Sequence, residues 1–150
     1  MFGFGKANVD DQKEIEIKNK KNTIEKFLAS MVQTSPEEAE RISERMKLYC
    51  NDDKILPFEY KKNAIIRIKQ LECEANMRVA DKLIHEAALL KNKDQLSQRG
   101  KFLAESRRYF AKACILGCET TWKNAYKRLS ETIMMSGGLA IDAPSRAKPK

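Results

Sequence analysis

The chain has 150 residues, 33% of them charged and 42% hydrophobic, and a formal net charge of +8. That length fits one domain with a buried core, and six glycines and four prolines, placed near the ends or between periodic segments, argue against a strand-and-turn architecture. No run reaches the roughly 18 uninterrupted apolar residues of a membrane span, and the opening Met-Phe-Gly-Phe-Gly-Lys leads into charge rather than an apolar stretch, so neither membrane insertion nor a signal peptide is expected and a cytoplasmic location is the default.

Residues 1–9 read as a flexible leader. A first helix is expected from about Asp10 to Val32. Its early part is mostly charged, and its later part carries Ile24, Phe27, Leu28, Met31 and Val32 on one stripe. Ser35-Pro36-Glu37-Glu38 is the clearest helix start. Ser35 can cap, Pro36 suits the first helical position, and Glu38 completes a Ser-x-x-Glu capping box. The second helix should run to about Tyr49, with Ala39, Ile42, Met46 and Tyr49 inward, and stop where Asn51, Asp52 and Asp53 favour a turn.

Pro57 opens a third helix of about 34 residues that ends near Lys91. Ile65, Ile68, Leu71, Ala75, Val79, Leu83, Ala87 and Leu90 recur every three or four positions, and neither glycine nor proline interrupts them. At about 1.5 Å per residue it would span about 50 Å, so it is the expected spine. After a short turn, with Asp94 a candidate cap, a fourth helix runs from about Gln95 to Leu116. Gly100 weakens it by roughly 1 kcal/mol against alanine, and Gly117 ends it in left-handed fashion. Leu96, Leu103, Phe110, Ala113 and Leu116 share its inner face. A fifth helix spans about Glu119 to Met135, with Trp122, Ala125, Tyr126, Leu129 and Ile133 on one stripe, and Gly137-Gly138 stops it. Residues 10–136 thus read as a single helical domain, and 137–150 as a disordered basic tail. The expected fold is all-α: about five helices in antiparallel hairpins around a long central helix.

The charge is uneven. Residues 1–50 carry nine basic and nine acidic side chains, residues 51–92 eight and seven, and residues 93–150 twelve and five. A basic last third can attract phosphate or an acidic protein surface. Lys101, Arg107, Arg108, Lys112, Lys123, Lys127 and Arg128 are the candidate partner-binding residues. No aromatic is expected on that polar face, which weighs against single-strand stacking, while phosphate contacts need only lysine and arginine. Glu105 can pair with Lys101, Arg108 or Lys112 at helical spacing, as on a solvated face.

Four cysteines, Cys50, Cys73, Cys114 and Cys118, include no C-x2-C pair. Cys114 and Cys118 are four apart, but His85 is the only histidine, no second ligand pair exists, and Gly117 is expected to end the helix between them. Buried free thiols are the preferred reading, and no metal or cofactor is assigned. Gly3-Phe-Gly5-Lys6 lacks the spacing and preceding strand of a phosphate loop. Glu72 and Glu74, two apart on a helix, point in different directions. No catalytic residue is assigned, and the chain is not expected to be an enzyme.

Within residues 102–129, Ser106, Phe110 and Ala113 lie on one face, a turn follows at Gly117-Cys118, and Trp122 comes four residues later. This order resembles the junction between successive tetratricopeptide repeats. The resemblance implies a helical hairpin in which small residues let helices approach closely, and a peptide-binding groove. The stretch departs from that pattern in the missing turn proline, the long preceding helix and Tyr126 at a small-residue position. No second copy follows at the period of about 34 residues. The expected function is a non-enzymatic helical protein–protein interaction module, an adaptor, chaperone or small assembly subunit, whose partner is a protein with an acidic surface or a peptide. An apolar groove between the third, fourth and fifth helices would mark it. The alternative is a nucleic-acid-binding helical domain that uses the basic third. The long third helix also leaves room for a homo-oligomer.

Overall fold

The computed structural model describes residues 2–117 and 119–135, the side chains of residues 2–10, 119–122, 133 and 135 excepted. The described residues form five α-helices: α1 (Phe2–Ser30), α2 (Pro36–Asp52), α3 (Phe58–Leu89), α4 (Leu96–Leu116) and α5 (Glu119–Met135), with a short 3-10 turn at Lys93–Gln95 before α4. No strand occurs among them. The all-α fold around a long central helix is therefore the observed one. The expected tail over 137–150 and the stop at Gly137-Gly138 lie outside the described residues, as do Cys118 and the side chains of Trp122 and Ile133.

The helix ends follow local chemistry. Ser35 accepts a hydrogen bond from the Glu38 amide at 3.2 Å, and Pro36 takes the first helical position. The Glu38 carboxylate pairs with Arg41 at 3.0 Å. Gly117 closes α4 at φ 77°, a left-handed conformation that glycine adopts without Cβ strain. Gly100 lies inside α4 without interrupting it. Three boundaries differ from expectation. α1 begins at Phe2, ahead of the start expected at about Asp10. α2 continues three residues past Tyr49, to Asp52. Before α4 the cap is Asn92 rather than Asp94, with the Gln95 side chain accepting from the Asn92 amide at 3.4 Å.

α3 carries two buried stripes. Ala64, Ile68 and Ala75 pack against Ile24 and Leu28 of α1, Met31 in the turn after it, and Ala39, Ile42, Met46 and Cys50 of α2. Cys73, Met77 and Ala80 pack against Tyr109, Phe110, Ala113 and Cys114 of α4 and Ala125 and Leu129 of α5. At about 100° per residue the stripes point to roughly opposite sides of α3. The helix is thus a partition with one core on each side. Small residues bring α3 and α4 together: the Ser106 hydroxyl donates to the Ala80 carbonyl at 3.0 Å and the Cys73 thiol to the Ala113 carbonyl at 3.2 Å. Seven residues forward on α3 match seven back on α4, so the pair is antiparallel. The α4 stripe is shorter than its sequence period implies, because Leu96 is exposed.

Asp53 locks the α2–α3 corner. Its Oδ2 accepts from the Leu56 amide at 2.7 Å and the Ile55 amide at 3.1 Å. Its Oδ1 pairs with Lys20 of α1 at 2.7 Å, and Lys61 of α3 donates to its carbonyl at 2.7 Å. Burial alone would raise the Asp53 pKa, but the Lys20 hydrogen bond and the Leu56 and Ile55 amides outweigh it and hold the carboxyl below its ordinary 3.8. Folding therefore favours the charged form. The stabilisation is complete above the ordinary value and is lost as pH falls through the lower folded value. Asp53→Ala should lower stability at pH 7 by about 2 kcal/mol, the order expected when backbone amides and a lysine lose a charged hydrogen-bond acceptor, as read by urea denaturation. Asp53→Asn should lose less and should flatten the decline in stability below pH 3.8.

Candidate functional site

The seven basic residues expected to meet a partner are all exposed, but Lys112 and Arg128 line different clefts. Lys101, Arg107, Arg108 and Lys112 lie on α4, and Lys123, Lys127 and Arg128 on α5. Arg108 pairs with Glu105 at 3.2 Å on its own helix. Arg128 pairs with Asp81 of α3. Lys112 lines a cleft between α2, α3 and α4, whereas Arg128 lines a cleft between α3 and α5. The α3 walls of these clefts, Glu72 and Asn76 in one and Glu74, Arg78 and Asp81 in the other, point in opposite directions at about 100° per residue. An aromatic does sit among the basic residues: the Tyr109 ring has Arg108 at 5.1 Å and Lys112 at 5.9 Å from its centroid. Its ring is buried and its hydroxyl donates to Glu37 of α2 at 3.2 Å, so no open face is left for a base to stack on.

The α3–α5 cleft is polar rather than the apolar groove expected among α3, α4 and α5. The apolar groove lies elsewhere, at the α2–α3 corner. It has a volume of about 420 Å3 and is lined by Cys50, Phe58, Ile65 and Ile66, with Lys61 and Lys62 at its sides. Phe58 is 73% and Ile66 53% exposed. The corner that Asp53 fixes therefore presents a large aromatic and a β-branched side chain to solvent beside two cations. None of the lining residues is acidic.

The cleft between α2, α3 and α4 is smaller, about 190 Å3, and chemically different. Pro36 and Glu40 come from α2, Glu72 and Asn76 from α3, and Lys112, Ile115 and Leu116 from α4. Glu72 is 8% and Asn76 3% exposed. The Asn76 amide nitrogen donates to the Glu72 carbonyl one turn back at 3.0 Å, which leaves its Oδ1 without a hydrogen-bond partner. Burial raises the Glu72 pKa above its ordinary 4.5. Ser43 and Lys47 act against that rise, and Glu40 and Glu44 add to it.

The thiols and the histidine form no reactive centre among the described residues. Cys50, Cys73 and Cys114 are buried and form no disulfide, and burial pushes the Cys114 thiol to about 11. His85 is exposed and its Nδ1 lies 2.9 Å from the Asp81 carbonyl of its own helix. No group of three or more metal-ligating side chains occurs among the described residues, and no helix there is long and apolar enough to cross a membrane. Comparison with known proteins finds no matching family, no similar curated protein and no similar solved structure.

Glu72 was visible in the sequence only as a member of a helical acidic pair, and Asn76 and Phe58 carried no signal there. Because folding raises the Glu72 pKa, the folded chain holds that proton more tightly than the unfolded chain. Stability is greatest below 4.5 and falls as pH rises through the folded value. Glu72→Gln should therefore stabilise the protein at pH 7 by about 1 kcal/mol, or about 2–4 °C in Tm. The gain should vanish as pH falls to 4, as thermal unfolding across pH will show. At pH 8 iodoacetamide should leave Cys114 unmodified until the chain unfolds, since the thiolate is the reactive form. Site-resolved mass spectrometry with and without urea checks this.

Proposed function

We propose that this chain is a non-enzymatic, cytoplasmic helical module that binds another protein, in the manner of an adaptor, chaperone or small assembly subunit. The observation that carries the reading is the corner groove, where Phe58 and Ile66 stand exposed on a rigid helix. Exposed aromatic and branched residues gathered in a concave site are the usual anchors of an interface. Lys62 at the rim and the absence of acidic lining residues favour an acidic amphipathic segment, with its apolar side against Phe58 and Ile66. The tetratricopeptide-like packing read between Ser106 and Trp122 belongs to this proposal as well. It is supported by the close approach of α3 and α4 at Ser106 and Ala113.

The nucleic-acid reading has less support. Two of the seven basic residues are engaged by Glu105 and Asp81, and Lys112 and Arg128 serve opposite sides of α3. Affinity capture from native lysate, with and without nuclease, separates the two. A protein partner should survive nuclease and be lost, by at least tenfold in recovery, from the Phe58→Asp, Ile66→Asp double variant, whose positions are exposed and whose fold circular dichroism can verify. Recovery that disappears with nuclease and ignores the double variant would favour nucleic acid.

A further inference from the structure

We propose that the cleft between α2, α3 and α4 receives the ammonium group of a lysine side chain from a protein partner. The assignment deepens the reading of the chain as an interaction module and rests on it. Glu72 is 8% exposed, yet no basic side chain among the described residues lies within ion-pair distance of its carboxylate; Lys47, the cation facing it from α2, is paired with Glu44 at 3.7 Å. Ser43 offers the carboxylate a hydroxyl, but a buried charge with no opposite charge beside it remains unfavourable, and the arrival of one lowers that penalty.

The second observation is independent of the carboxylates. Asn76 is 3% exposed and lines the same cleft. Its Nδ2 is engaged by the Glu72 carbonyl, and its Oδ1 has no partner. An amide oxygen in that position can only accept a hydrogen bond, so the group it waits for is a donor. With Glu40 at the mouth, the acceptors come from three residues on two helices. Acceptors drawn from separate side chains suit the three donors of an ammonium better than the planar fork of a guanidinium, which matches a single carboxylate. Pro36, Ile115 and Leu116 supply an apolar wall along which a lysine's methylene stem can lie. Lys112 shares the lining but is exposed, with its ammonium drawn toward the Tyr109 ring.

Register ties this cleft to the corner groove. Phe58, Ile65, Glu72 and Asn76 fall within about 40° of one another around α3 at 100° per residue, and Ile65 and Asn76 are about 16 Å apart along the axis. One partner segment can reach both, with an apolar anchor at the corner and a lysine at the far end.

The test is an amide-resolved NMR titration of the full chain at low ionic strength with Nα-acetyl-lysine methylamide. The norleucine counterpart, which keeps the apolar stem and lacks the charge, is the control. Saturable shifts at Glu40, Glu72, Asn76 and Ile115 are expected with the lysine probe, and shifts at least tenfold weaker with the control. Glu72→Gln, which leaves the shape and removes the charge, should weaken probe binding at least fivefold. Phe58→Asp should leave it unchanged, so the cleft and the corner groove can fail separately. Equal response to the two probes, or unchanged affinity in Glu72→Gln, would overturn the assignment whatever becomes of the groove.

Discussion

The structure depends on α3 remaining one unbroken helix. Two buried stripes occupy opposite sides of it, Ala64, Ile68 and Ala75 on one and Cys73, Met77 and Ala80 on the other. They overlap along the chain, since Cys73 lies before Ala75. A break there would turn one stripe out of its core, because every later residue would change its angular position. Both cores draw buried residues from α3, so each half is stabilised through the shared rod. A helix packed on two sides leaves two sectors between the packed ones. Phe58, Ile65, Glu72 and Asn76 fall in one of these intervening sectors, and Glu74, Arg78 and Asp81 fall in the other. The clefts are a geometric consequence of the partition.

Two buried carboxylates show how differently such positions can be resolved. Asp53 is met by two backbone amides and by lysines from two other helices, and its pKa is lowered despite burial. Its charge closes the corner and holds the start of α3 against α1. Glu72 is buried to a similar degree, with two further glutamates on the facing helix, and its pKa is raised. Asp53 is compensated from within the chain, whereas Glu72 sits in a site that a donor from outside would complete. Neighbours, rather than depth, decide which of the two roles a buried acid has.

Much of the helical framework was legible in the sequence. Ser35-Pro36 and Gly117 mark ends because capping and left-handed conformations depend on the residues themselves. The periodic apolar positions marked α3 because nothing interrupts them. What stayed hidden depends on what lies across the space. Ile65 and Ile66 are adjacent in a helical run, and only the placement of α2 decides that Ile66 is exposed. Asp53 looked like one more turn former in Asn-Asp-Asp, since its lysine partners are 33 and eight residues away. Glu72 and Asn76 sat between apolar positions. On a helix with a single buried face they would have been solvated, but a second stripe narrows the polar sectors into clefts.

The same reasoning applies to the basic last third, whose excess of charge is a property of the chain order rather than of one face. α4 and α5 fold back on each other, and the positions that carry charge rotate about 100° per residue. Lys112 is carried toward the glutamates of α2 and α3, while Arg128 is carried to the other side of α3, where Asp81 meets it. Tyr109 lies between Arg108 and Lys112, and its burial against α2 draws both cations toward its ring. A uniform positive face would recognise phosphate through summed potential. Here Arg108, Arg128 and Lys112 each lie against a local partner, so their charges do not sum on one face, and the short-range chemistry of the chain lies instead in an apolar groove at one end of the α2–α3 hairpin and an unsatisfied acceptor at the other.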